Sequence, residues 1–308
     1  MGRAETVDLT TRLGPLTLRS PLVAASGTVG SVVDFAAVGA FEHYGAAVAK
    51  SVSEAPWEGR PPPRLYPVGT GMLNGIGIQN LGVAGWLETV APRLAEAGVP
   101  VWASVVGRTA AEFARVAAAL TPSGVAALEV NLSCPNLESG LMFALEPGTA
   151  AEVVAGVRAA TTLPVGAKLS PNAPDVAAVA AAVAAAGADF VVVGNTVWGA
   201  AIDPETRRPG ISGVVGGYSG GPIKPIAVRA VLEVRRALPD LPLVGGGGVR
   251  SGADVVEFLL AGAQAVAVGT AHFADTRAGR RMVRDLHRYG RRHRVDRVTE
   301  LVGAWRPW

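Results

Sequence analysis

Of the 28 basic residues in this chain only three are lysines: Lys50, Lys168 and Lys224. Asparagine is also scarce, found only as Asn74, Asn80, Asn131, Asn136, Asn172 and Asn195, and the one cysteine is Cys134. A lysine brings a compact ammonium that arginine does not replace in a tight site. Asparagines donate and accept hydrogen bonds together, which suits a planar, amide-rich ring. A thiol has an unperturbed pKa of about 8.5 that cationic neighbours lower, so it can serve as nucleophile or general base. The four histidines (His43, His272, His287, His293) are scattered, and none is poised for a Cys–His pair. Proton abstraction by Cys134 is therefore the better assignment. No His, Cys, Asp or Glu cluster has metal-ligand spacing, so no metal is expected.

The elements that carry these residues have a regular rhythm. Short apolar runs predict strands at Pro21–Ala25, Ala46–Lys50, Pro100–Val105, Ala126–Asn131, Pro164–Lys168, Phe190–Asn195, Pro242–Gly246 and Ala265–Gly269. Helical stretches are predicted at Ala84–Ala97, Ala110–Leu120, Ala150–Ala160, Val176–Ala186, Ile226–Leu238 and Ala253–Ala261, with Gly187 ending the fourth. Alternating strands and helices imply a parallel sheet, and eight such units suggest a (β/α)8 TIM barrel, an α/β fold. Before it, Val7–Leu9 and Leu16–Leu18 flank Leu13-Gly14-Pro15 and predict an N-terminal hairpin at the barrel bottom. The connections Ser51–Gly82 and Thr196–Pro225 are too long for plain loops and are expected on the C-terminal face. No linker divides the chain, so residues 1–308 read as one domain.

On this frame Lys50, Asn131, Lys168 and Asn195 each end a strand, with Asn74, Cys134 and Asn136 in adjoining loops. Scarce residues converging on one barrel mouth point to a site there. Gly245 to Gly248 after the seventh strand and Gly269-Thr270 after the eighth suit phosphate, since backbone N–H groups can approach an anion there. Neither a G-x-G-x-x-G after the first strand nor a P-loop is present. The residues alone thus imply a phosphate-anchored cofactor, an amide-like ring and a cysteine base.

Composition excludes other classes. Hydrophobic residues make up 49% of 308 and charged residues 17%, which speaks against disorder and for a large core. A lone cysteine excludes an internal disulfide framework and fits a reducing, cytoplasmic setting. The N-terminus lacks a signal-peptide core, Met1 to Thr6 fits the loose myristoylation pattern only as short motifs do by chance, and the apolar run Val176–Ala188 is too short to span a bilayer. A net charge of +3 does not argue for nucleic acid. The arginine-rich stretch Arg277 to Arg297, interleaved with Asp285 and Asp296, reads as a solvated helix face or a partner-docking face.

The segments Asn131-Leu132-Ser133-Cys134-Pro135-Asn136, Gly71 to Asn80 and Lys168-Leu169-Ser170-Pro171-Asn172 resemble class 1 dihydroorotate dehydrogenases. The likeness runs from Ala25-Ser26-Gly27 to Gly269-Thr270-Ala271. Gly71-Met72-Leu73-Asn74, Pro61-Pro62-Pro63-Arg64 and Ile223-Lys224-Pro225 look most like subtype B, whose catalytic subunit works with an FAD/[2Fe–2S] subunit that passes electrons to NAD. The resemblance implies FMN at the mouth, its phosphate held by Gly220, Gly247, Gly248, Gly269 and Thr270. Ser26, Lys50, Ser51, Ser104, Asn131, Lys168 and Gly194 fall where the rest of the cofactor is contacted. Lys50, Asn74, Gly75, Ile76, Gly77, Ile78, Asn131, Asn136, Asn195 and Thr196 fall where dihydroorotate is held. By the same resemblance Cys134 takes the C5 proton while hydride leaves C6, and Lys168 stabilises the reduced flavin. A homodimer or heterotetramer, with no membrane or nucleic-acid partner, is the expected assembly.

Three positions depart from the family pattern. Ser104 stands for a usual Asn, Gly194 for a larger apolar residue, and Ser219-Gly220-Gly221-Pro222 replaces Ser-Gly-Pro-Ala. All touch cofactor packing rather than the proton or substrate groups. The rival readings are a flavin barrel acting on another pyrimidine ring, like dihydropyrimidine dehydrogenase, and a tRNA dihydrouridine synthase.

Overall fold

The computed structural model describes residues 6–133 and 142–308. Eight parallel strands close into a barrel. In chain order they are β1 (Leu22–Ala24), β2 (Ala46–Val52), β3 (Val101–Val105), β4 (Ala127–Asn131), β5 (Val165–Lys168), β6 (Phe190–Val193), β7 (Leu243–Gly246) and β8 (Ala265–Val268). Each pairs with its sequence neighbour, and β8 closes on β1. The expected (β/α)8 architecture is present.

Side-chain alternation divides the strands between two cores. Ala47, Ala49, Leu128, Val130, Val165 and Ala167 point outward and pack under the helices. Val23, Ala46, Val48, Trp102, Ala127, Phe190, Val192 and Val244 fill the barrel interior. Trp102 and Phe190 meet there with ring centroids 5.1 Å apart. Gly166 makes room for the Phe190 ring, since a β-carbon on it would lie 2.2 Å from that ring.

The barrel bottom is closed by a hairpin, Thr11–Leu13 paired with Leu16–Leu18. Its Leu13 and Leu18 complete the interior core. The first arm is thus Thr11–Leu13, not Val7–Leu9. Asp8 instead bridges Arg297, and Val7 N–H reaches His287 Nδ1 at 3.2 Å. The Val7–Leu9 segment alternates like a strand, but its partner is the distant C-terminal region.

Local chemistry sets the helix ends. Thr109 caps Ala110–Leu120 by accepting from Glu112 N–H, and Phe113, Val116, Ala117 and Leu120 form its buried stripe. Ser251 and Asp254 form a capping box on Gly252–Leu260. Val176–Ala185 ends at Gly187, where Ala188 N–H returns to Val183 and Gly187 N–H to Ala184. The stretch read as one helix over Ala84–Ala97 is two pieces: an α-helix over Gly82–Thr89 and a 3-10 helix over Ala91–Ala97. Pro92 lacks the N–H that would continue the first.

The two long connections are not plain loops. Leu65–Val68 and Gly71–Asn74 from the first join Val197–Ala200 and Val215–Gly220 from the second in one four-stranded antiparallel sheet. These strands are short and rich in glycine, which hid them from a pattern reading. Among the described residues no helix is long and apolar enough to cross a membrane.

Candidate active site

On four of the strands, β2 to β5, the inward stripe turns polar near its C-terminal end. Lys50 follows Ala46 and Val48, Ser104 follows Trp102, and Glu129 and Asn131 follow Ala127. Lys168 lies beside Asn131 in register. Alternation therefore delivers Lys50, Ser104, Glu129, Asn131 and Lys168 to one floor below the mouth. A register shift between Ala49 and Val52 turns Ser51 toward the same floor.

These groups form a connected set. Ser51 Oγ lies 3.0 Å from Ser104 Oγ, and Asn131 Nδ2 donates to Ser51 Oγ at 3.4 Å. Ser104, fully buried, thus reaches Ser51 and spans the position with a hydroxyl pair. Lys168 Nζ donates to Glu129 Oε1 at 3.3 Å, with both side chains almost wholly buried. Ser26 Oγ donates to the Ala49 carbonyl at 2.8 Å and ties β1 to β2 beside Lys50.

The asparagines separate into two kinds. Asn80 Oδ1 accepts from Ser53 N–H, Ser53 Oγ and Gly82 N–H, and so folds the first long connection. Asn172 donates to Ser170 Oγ and the Thr196 carbonyl and accepts from Trp198 N–H, holding the second. Asn74, Asn131 and Asn195 remain at the mouth. Asn74 Nδ2 donates to the Gly217 carbonyl at 3.0 Å across the added sheet, and Gly75 N–H to the Arg64 carbonyl at 2.8 Å. Ile76, Gly77 and Ile78 continue from there, with Gly77 and Ile78 at positive φ. Asn195 Nδ2 donates to Ser133 Oγ at 2.8 Å. It lies just past the end of β6 at Val193 rather than within it, and Thr196 follows at the entry to the added sheet. Cys134 and Asn136 lie outside the described residues.

The glycine-rich side of the mouth presents backbone N–H groups that could hold an anion. Gly246 of β7 pairs with Ala267 of β8, which sets Gly247-Gly248 beside Gly269-Thr270. Gly247 and Gly248 have φ of 131° and 79°. A β-carbon at Gly248 would lie 2.7 Å from Lys224 N, so only glycine fits. Among the described residues, the N–H groups of Gly247, Gly248, Gly269 and Thr270 donate to no protein acceptor. Four unspent donors on adjacent strand ends, beside a floor bearing Lys50 and Lys168, fit the phosphate and ring of a flavin mononucleotide.

Three residues were not placed beside the site by the sequence reading. Glu129 alternates inward like its apolar neighbours, and only its pairing with Lys168 reveals its place. Lys224 lies against Gly248, its Nζ donating to Asp254 at 2.7 Å and Glu257 at 2.6 Å. Those carboxylates raise the ammonium above its ordinary value. Burial works to raise the Asp254 carboxyl, but Lys224 and the N–H of Arg250 hold it below the usual carboxylate range. His272, two residues past Thr270, is buried between Thr28 Oγ1 at 2.9 Å and Tyr44 Oη at 2.8 Å. Thr28 spends its hydrogen on the Ala25 carbonyl, so it accepts from His272 Nδ1–H, and Nε2 accepts from Tyr44. Burial pushes this imidazole down to about 4.

The arginine-rich segment is a helix over Ala278–His293 whose buried face is Ala278, Gly279, Met282, Leu286 and Gly290. Arg280, Arg284, Arg288, Arg291 and Arg292 are exposed, as either a solvated or a partner-docking face requires.

A (β/α)8 barrel with glycine-rich loops after its seventh and eighth strands and a lysine-bearing floor is the frame on which barrel enzymes commonly anchor a phosphate. The dihydroorotate dehydrogenase family model matches residues 8–289. A catalytic subunit of dihydroorotate dehydrogenase B (NAD(+)) from Citrifermentans bemidjiense is 44% identical over 299 residues, covering 96% of this chain and 98% of its own. The subunit of the same name from Desulforudis audaxviator is 45% identical over 291 residues, 94% of each chain. A crystal structure of the Eimeria tenella dihydroorotate dehydrogenase in complex with ferulenol superposes with a TM-score of 0.79 at 19% identity, covering 96% of this chain and 88% of that one. The chain belongs to the dihydroorotate dehydrogenase family. It is an oxidoreductase of pyrimidine biosynthesis, as its motifs implied.

Proposed function

We propose that this chain, one domain over residues 1–308, is the FMN-binding catalytic subunit that oxidises (S)-dihydroorotate to orotate. The observation that carries the reading is the meeting of Lys50, Asn131 and Lys168 with the unspent glycine N–H donors on one mouth. Gly220, Gly247, Gly248, Gly269 and Thr270 hold the cofactor phosphate. Ser26, Lys50, Ser51, Ser104, Asn131, Lys168 and Gly194 line the remainder of its site. When bound, FMN supplies the acceptor for the hydride that leaves C6 of the substrate.

The chain's own residues do the rest. Lys50 and the backbone of Gly75 to Ile78 receive the substrate carboxylate. Asn74, Asn131, Asn136, Asn195 and Thr196 match the donors and acceptors of the dihydropyrimidine ring. Cys134 Sγ removes the C5 proton, and the C5–H electron pair becomes the new C5–C6 double bond. Lys168, fixed by Glu129, places positive charge where negative charge develops. Asn195 bonds Ser133, the residue preceding Cys134, and so orients the start of the segment carrying the base.

The curated relatives are named as catalytic subunits of an NAD(+) enzyme, which supports a partner subunit for this chain; the resemblance to subtype B makes that partner an FAD/[2Fe–2S] subunit and the assembly a homodimer or heterotetramer. A cytoplasmic setting accords with the single cysteine. The test is rapid-mixing of FMN-loaded protein with dihydroorotate, wild type against Cys134→Ala. General-base removal slows flavin bleaching by about 10²–10⁴-fold with FMN content unchanged. Equal bleaching rates would remove Cys134 from the mechanism.

A further inference from the structure

Lys224 joins the two arms of the glycine cradle, through its ion pair with Asp254 and its closeness to Gly248. One arm runs from Gly220 through Gly221-Pro222-Ile223 into Lys224, the first residue of the helix Lys224–Ala237. The other runs from Gly247 to Ser251. Asp254 holds the second arm, its Oδ2 accepting from Arg250 N–H, Ser251 N–H and Ser251 Oγ, each at 2.9 Å. Its Oδ1 takes Lys224 Nζ at 2.7 Å. The arms lie close together: a β-carbon on Gly248 would fall 2.7 Å from Lys224 N, and one on Gly221 would fall 2.8 Å from Arg250 Cζ.

We propose that Lys224 is a positioning residue for the cofactor: its ion pair with Asp254 latches the two phosphate-binding arms at the spacing one phosphate requires. The ammonium is already engaged by two carboxylates at 2.7 and 2.6 Å, so its charge serves the protein rather than the anion. Donors held rigidly before binding lose less freedom when the phosphate arrives. This rests on the FMN reading above.

The test compares FMN with riboflavin, which carries the same ring without phosphate. Binding to apoprotein is followed by quenching of flavin fluorescence for wild type, Lys224→Met, Lys224→Arg and the double variant K224M/D254N. The double variant leaves no unpaired carboxylate at residue 254 and stands in if K224M does not fold. Loss of the latch weakens FMN binding by about tenfold or more, as loss of an outer-shell partner does at other preorganised sites. Riboflavin affinity stays within about twofold, and Lys224→Arg recovers most of the FMN affinity, since arginine also pairs with carboxylates. Unchanged FMN affinity, or equal weakening of both ligands, overturns the proposal. Wild type that binds neither flavin overturns the cofactor reading itself, and the latch with it.

Discussion

Lys168 Nζ and Glu129 Oε1 lie 3.3 Å apart inside the barrel, with side chains 10% and 3% exposed. Neither charge is stable there alone, because water is excluded and the apolar layer of Trp102 and Phe190 shares the interior. Glu129 is thus the condition for keeping a lysine at the floor. Glu129→Gln costs about 3 kcal/mol of unfolding free energy by stranding Lys168, and the double change E129Q/K168M regains most of it. Urea denaturation measures both. A single variant as stable as wild type would show that the pair is not coupled.

The cradle makes a backbone prediction. Gly248→Ala forces a β-carbon against Lys224 N at positive φ. The strain is about 1–3 kcal/mol, and the arm must shift to relieve it. Protein purified with this change carries substantially less FMN than wild type, read from the visible absorbance per chain. Full FMN content would mean the loop tolerates a side chain and does not approach its neighbour so closely.

His272 gives the fold a pH dependence. Its folded value of about 4 lies below the unfolded value of 6.5. The unfolded chain therefore takes the proton first as pH falls. Stability declines as pH drops below about 6.5 and levels off near 4, by roughly 3 kcal/mol in total. His272→Gln removes this contribution, so wild type and variant differ in slope between pH 6.5 and 4 in chemical denaturation. Parallel slopes would show that the imidazole is accessible in the fold.

Most of the barrel is legible from sequence because a strand buried on both faces is a run of apolar residues closed by a polar end. That signal brought Lys50, Asn131 and Lys168 to one mouth. It failed where pairing is non-local. The hairpin arm is Thr11–Leu13 because Asp8 finds Arg297, nearly the whole chain away. The strands Gly71–Asn74 and Val215–Gly220 carry too little apolar alternation to announce themselves, and their register is set by each other. Asn80 and Asn172, which the sequence reading did not assign to the site, are spent on loop architecture. Glu129 was invisible because a lone carboxylate in an apolar strand has no partner until the barrel closes.

The central claim is tested most directly by an anaerobic titration of the FMN-loaded chain with L-dihydroorotate, followed at the flavin band. The account predicts complete bleaching without any partner subunit, because the base, the floor lysines and the cradle all belong to this chain. A flavin that stays oxidised with dihydroorotate but bleaches with a dihydropyrimidine lacking the carboxylate would contradict it.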